Sequence, residues 1–161
     1  MYCLRQVRGS LPPSCDLSAL RQRCPGKRYP LPGLFLSGKE INIKLATVVV
    51  DCQDAHRTAT FYSKLLGWPI TLEEPDWVLL RDPKGGTGLS FQTEEDYVRP
   101  VWPEEPGKPT KMLHLDFKVD DLPAAEAHAL ACGAVKSPRQ FLERVTVFFD
   151  PEGHPFCLFL D

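Results

Sequence analysis

Two stretches of this chain follow one plan in the same order. In each, an apolar strand-like run leads to an aspartate, a stretch of helical spacing, a glycine, and later an Asp-Pro-x-Gly turn. The helix-start residues Asp54 and Asp121 lie 67 positions apart, and the turn residues Asp82 and Asp150 lie 68 apart. A repeat of this size is one supersecondary unit whose sheet has an apolar face it cannot bury alone. Two such units must therefore share a core, and the order of their signals predicts a βαβββ module, made twice.

The local patterns support each element. Lys44 to Cys52 is β-branched and apolar, as a buried strand requires. Asp54 to Leu66 has helical spacing, with Ala55, Ala59, Tyr62 and Leu66 along one stripe and Phe61 and Leu65 beside it, before Gly67. Short strands are predicted near Ile70 to Glu73, Trp77 to Arg81 and Gly88 to Thr93, with the Asp82-Pro83-Lys84-Gly85 turn between the last two. In the second unit Met112 to Val119 reads as a strand, Leu122 to Cys132 as a helix ending at Gly133, and Asp150-Pro151-Glu152-Gly153 as the matching turn.

The fold class expected is α+β: two βαβββ modules pairing into a curved, cupped mixed sheet with the helices outside. Module one spans about 43–96 and module two about 112–161. Residues 97–111, with Pro100, Pro103, Pro106 and Pro109, form a stiff connector from which Tyr97 and Trp102 are placed to fold over a ligand mouth or to pack onto the domain. Residues 1–42 show neither strand nor helix periodicity beyond one short helical stretch, Ser14 to Arg23, and read as a basic, proline-containing extension to a domain over 43–161.

Charge and cysteine usage narrow the function classes. The extension carries seven bases against two acids, whereas the remainder carries twelve bases against nineteen acids. A net-acidic body argues against nucleic acid as a partner, which normally demands a basic field. The basic extension leaves open a regulatory module that meets an acidic partner. No apolar run approaches the roughly 18 residues of a membrane span. The six cysteines lack CxxC spacing and read as free thiols in a cytoplasmic protein, with Cys52, Cys132 and Cys157 as small apolar residues or polar site groups. Phosphate loops, the GxSxG elbow and the dinucleotide GxGxxG are absent.

Several segments resemble a known family. Val50-Asp51-Cys52-Gln53-Asp54 followed by Phe61-Tyr62-Ser63-Lys64-Leu65-Leu66-Gly67-Trp68 is similar to the first-module signature of the vicinal oxygen chelate superfamily. His114-Leu115-Asp116-Phe117-Lys118-Val119 and the ending Asp150-Pro151-Glu152-Gly153-His154-Pro155-Phe156-Cys157-Leu158 resemble a glyoxalase-like branch of it. The superfamily includes glyoxalase I, extradiol dioxygenases, fosfomycin thiol transferases, epimerases and metal-free bleomycin-sequestering proteins.

The resemblance implies one metal ligand from the first and one from the last strand of each module. Seven residues before each helix-start aspartate stand Thr47 and His114, and the last-strand positions are read as Gln92 and Cys157. His114, Gln92 and Cys157 are thus the candidate ligands for a divalent metal such as zinc, nickel, iron or manganese. Thr47 departs from the usual histidine or glutamine, and Cys157 from the usual glutamate. Asp116 shares the strand face of His114 by period two, so the two either pair, fixing the imidazole tautomer, or simply line a polar pocket together. His154 reads as a turn residue, and His56 and His128 as helix-surface residues.

Two functions are expected. In the first the protein binds a small apolar or aromatic molecule between its modules, as in sequestration, with His114, Gln92 and Cys157 at the polar end and Trp77, Phe91 and Trp102 as apolar walls. In the second it is a metal-dependent lyase or isomerase of the glyoxalase type, the metal acting as a Lewis acid. The resemblance also implies a homodimer.

Overall fold

Asp54 and Asp121 do in space what their positions suggest. Each takes an extended backbone and its carboxylate accepts from the amide three residues on, Arg57 N at 2.9 Å and Ala124 N at 3.0 Å. These caps satisfy helix-end donors and contribute about 1 kcal/mol each. Both helices end at a left-handed glycine, Gly67 at φ 69° and Gly133 at φ 102°, where a side chain would be strained.

The computed structural model describes residues 42–161, so the expectations placed on the basic extension, including the helix over Ser14 to Arg23 and any partner it meets, lie outside the described residues. Module one runs β1 (Thr47–Cys52), α1 (Ala55–Leu66), β2 (Ile70–Glu74), β3 (Trp77–Leu80) and β4 (Gly88–Thr93). Module two runs β5 (Leu115–Lys118), α2 (Leu122–Cys132), β6 (Val135–Lys136), β7 (Val145–Phe149) and β8 (Pro155–Phe159). The repeat is therefore βαβββ in both halves.

Each module makes its own four-stranded mixed sheet, ordered β1-β4-β3-β2 and β5-β8-β7-β6. The first strand pairs parallel with the last, and the remaining pairs are antiparallel. Neither sheet closes into a barrel. The turns repeat at the level of single bonds. Gly85 N donates to Asp82 O and Lys84 N to Asp82 Oδ1, as Gly153 N donates to Asp150 O and Glu152 N to Asp150 Oδ1.

What joins the halves is one apolar core on the helix side of both sheets. Tyr62 of α1 stacks on Phe91 of β4 at 5.1 Å between ring centroids and meets Phe117 of β5 and Phe156 of β8 at 6.3 and 6.4 Å. Phe148 stacks on Phe156 at 5.6 Å. Tyr62, Phe91, Phe148 and Phe156 are fully buried, and truncating any one to alanine would cost about 3–5 kcal/mol. A buried phenol needs a hydrogen-bond partner; Tyr62 finds it in module two, donating to Asp150 Oδ2 at 3.2 Å.

Candidate ligand-binding face

Alternation along each strand decides which side chains face the helices and which face away. Val50, Cys52, Val78, Leu80, Leu89 and Phe91 join the helix-side core. Their neighbours Thr47, Val49, Asp51, Trp77, Ser90 and Gln92 lie on the opposite face, as do His114, Asp116 and Cys157 in module two. This second face is where the candidate site residues gather.

His114, Asp116 and Cys157 come together there, one ligand atom from each within 4.8 Å of the others. His114 Nε2 lies 3.6 Å from Asp116 Oδ1, the juxtaposition expected of two residues at i and i+2. Cys157 is opposite Asp116 in the parallel β5–β8 ladder. Burial pushes the Cys157 thiol up to about 11, helped by its hydrogen bond to the Asp116 carboxylate and by that group's negative charge. A nitrogen, an oxygen and a sulfur donor so arranged fit a borderline divalent ion such as zinc.

Module one differs at the corresponding positions. Val49 and Asp116 both stand five residues before their helix-start aspartates, and the ladder pairs Val49 with Ser90 and Asp116 with Cys157. Ser90, not Gln92, is thus the module-one counterpart of Cys157, and Thr47 that of His114. Thr47 Oγ1 and Ser90 Oγ hydrogen-bond to each other at 2.8 Å, Ser90 fully buried. Gln92 lies one pleat further along, its amide donating to Glu94 and its strand position opposite Trp77. Asp51 joins this rim, where burial and then the Glu94 charge raise its carboxyl pKa against a smaller opposing pull from His154.

The aromatic candidates divide. Phe91 is a core residue beneath Tyr62 and does not line the open face; neighbouring strand residues point to opposite sides, so Phe91 and Gln92 have no common wall. Trp102 does reach module two, its ring edge-on to Phe141 at 5.5 Å and to Phe149 at 6.2 Å. Tyr97 is no flap over a mouth. Its hydroxyl donates to Glu152 O at 2.9 Å and so ties the connector to the second turn.

That turn carries a polar network which sequence reasoning missed. The Asp150 carboxylate is fully buried and accepts from Tyr62 Oη, Glu152 N, His154 N and His154 Nδ1. His154 Nε2 lies 2.9 Å from Asp51 O, so both ring nitrogens face acceptors; burial pulls the ring's pKa down, but the Asp150 hydrogen bond and charge raise it overall. Glu152, also buried, is paired with Arg57 of α1. The signal available was the aromatic setting of the turn, Phe148-Phe149 before it and Phe156 after it, which marks Asp150 as interior.

Two βαβββ modules sharing a helix-side core, with candidate ligands on the opposite face, define the architecture of the vicinal oxygen chelate superfamily. The glyoxalase-like domain family matches residues 47–159, and the chain belongs to it. It is 32% identical over 120 residues to uncharacterized protein YaeR of Escherichia coli (strain K12), covering 70% of this chain and 92% of that protein. A glyoxalase family protein from Enterococcus faecalis superposes with a TM-score of 0.55 at 26% identity, covering 72% of this chain and 96% of that one. TnmS3, an antibiotic binding protein from Streptomyces sp. CB03234, shares the fold at a TM-score of 0.51 and 19% identity, over 76% and 98%.

Proposed function

We propose that this protein binds a small apolar or aromatic molecule on the face that carries His114, Asp116 and Cys157, and acts by holding it, as in sequestration. The observation that carries this reading is the Thr47–Ser90 pair. The two module-one positions that correspond to His114 and Cys157 hold neutral hydroxyls, which are poor metal ligands unless deprotonated and which already satisfy each other. Trp102 and Phe149 add aromatic surface to the same side of module two. The antibiotic-binding description of TnmS3 adds precedent for this use of the fold. In this reading the protein is cytoplasmic and a homodimer, and light scattering tests the second point. The test of binding is a titration of a broad aromatic panel without added metal, followed by tryptophan fluorescence. Saturable binding is expected, and a panel with no binder overturns the reading.

A second reading is favoured by one specific observation, the clustering of His114, Asp116 and Cys157. Here the three residues hold a divalent metal and the protein is a lyase or isomerase of the glyoxalase type. The metal, when bound, would supply Lewis-acid polarisation of a substrate oxygen. His114 and Asp116 would anchor the ion from one strand, and Cys157 would add a thiolate from the next. Elemental analysis of protein purified without chelator, beside His114→Ala, separates the two readings. Near-stoichiometric metal lost in the variant favours the enzyme; no metal in either, even after adding zinc, nickel, iron or manganese, favours the binder.

A further inference from the structure

The open face of module two continues past Cys157 into an aromatic hollow. In the antiparallel β7–β8 ladder Val147 pairs with Cys157 and Phe149 with Pro155, so Phe149 points to the same side as Cys157, one pleat further on. The connector lays Trp102 against Phe149. Together with Arg99, Pro100, Val101 and the backbone of Gly153 these residues enclose an open hollow of about 320 Å³, the low end of the range for small-molecule sites.

The hollow is bordered by positive charge that the domain does not otherwise use. The Arg99 side chain lies along Gly153, where an added Cβ would collide with Arg99 Nε. Glycine at 153 is what lets the guanidinium take this course. Arg99 spends one N–H on Pro151 O at 3.4 Å, and among the described residues no carboxylate pairs with it. The nearby buried acids are already matched, Glu152 by Arg57 and Asp150 by His154. Lys111 stands 5.8 Å from the centroid of the Trp102 ring, although it is shared with Glu104. The site therefore offers two aromatic rings set edge to face and, beside them, a forked cation with donors to spare, the arrangement that recognises a carboxylate attached to a ring.

We propose that this hollow is a subsite for a planar aromatic anion, the ring lying against Trp102 and Phe149 and the acid group meeting Arg99. The proposal rests on the binding reading above and narrows its ligand to an aromatic acid. The probes are 2-naphthoate and its neutral counterpart 2-naphthamide, titrated calorimetrically into the full chain. Naphthoate binds about tenfold tighter or more, as one charge-assisted contact allows, and the advantage shrinks as salt is raised. Arg99→Gln makes the two probes equal, Arg99→Lys keeps part of the difference, and Trp102→Ala weakens both. Arg99 is exposed, so its variants fold, and a thermal melt checks the fold of these and of Trp102→Ala, whose ring is half-buried. Equal binding of the two probes to the unaltered protein, or a preference that survives Arg99→Gln, overturns the proposal while leaving the broader binding reading intact. Failure of the two probes while other aromatics bind does the same; failure of every aromatic overturns both.

Discussion

Thr47 and Ser90 hydrogen-bond to each other, 2.8 Å between their oxygens, at the two positions that His114 and Cys157 take in module two. The repeat has kept its backbone plan and changed its side-chain chemistry. One half presents a donor set suited to a metal or a polar ligand group, and the other presents a closed pair of hydroxyls.

The pair makes a stability prediction. Thr47→Val leaves the buried Ser90 hydroxyl without its partner and should cost about 1–3 kcal/mol. The double variant Thr47→Val/Ser90→Ala removes both polar groups and should recover most of that loss, because two matched apolar groups leave nothing unsatisfied. Urea denaturation of the two single variants and the double variant measures the coupling; strict additivity would show that the pair is not a closed unit.

The two Asp-Pro-x-Gly turns should respond very differently to the same change. Asp150→Ala strands a phenol, two backbone amides and the His154 ring in the interior, and a loss of about 3–5 kcal/mol is expected. Asp82→Ala removes only the Lys84 N contact at an exposed turn, and less than about 1 kcal/mol should follow. Comparable losses at the two sites would contradict the assignment of Asp150 to the core network.

His154 gives the fold a defined pH dependence. Burial pulls its pKa down, but the Asp150 hydrogen bond and charge more than reverse this, and the folded value lies above the ordinary 6.5. The imidazolium is thus preferred in the folded state. Its stabilising contribution is complete below the unfolded pKa and fades as pH rises through the raised folded value. The stability difference between the natural chain and His154→Gln should therefore narrow as pH rises from about 6.5 through the raised folded value. A difference that widens over that interval would mean that the ring is held neutral.

Helix capping offers a check on the repeat itself. Asp54→Ala and Asp121→Ala remove equivalent bonds, to Arg57 N and Ala124 N. Each should lower stability by about 1 kcal/mol, read as a shift in the urea midpoint at constant slope.

The architecture was legible because it is written in backbone signals. Asp54, Gly67, Asp121 and Gly133 are residues whose local conformational preferences survive burial, and strand alternation alone puts Asp116 beside His114. The candidate site was legible only in part. Ladder register is a tertiary property that no local signal carries: the last-strand position expected at Gln92 falls at Ser90, because β1 and β4 pair in that register. Phe91 and Gln92 are adjacent on β4, and a strand cannot turn both to one face, so Phe91 goes to the core. The Asp150 network depends on contacts across 88 to 103 residues of chain, and no local pattern carries such a distance. Arg99 carries no local signal for the same reason, since what distinguishes it is its course along Gly153, 54 residues further on.

The second turn is the place where the duplicated halves stopped being interchangeable. Its carboxylate is capped by a phenol from α1, its histidine by a carbonyl from β1 and its glutamate by an arginine from α1, so module two on its own would carry Glu152 without its arginine, Asp150 without its phenol and His154 without its carbonyl. Cut between the modules, the chain should yield fragments that find their structure only in each other's company, however alike their blueprints are.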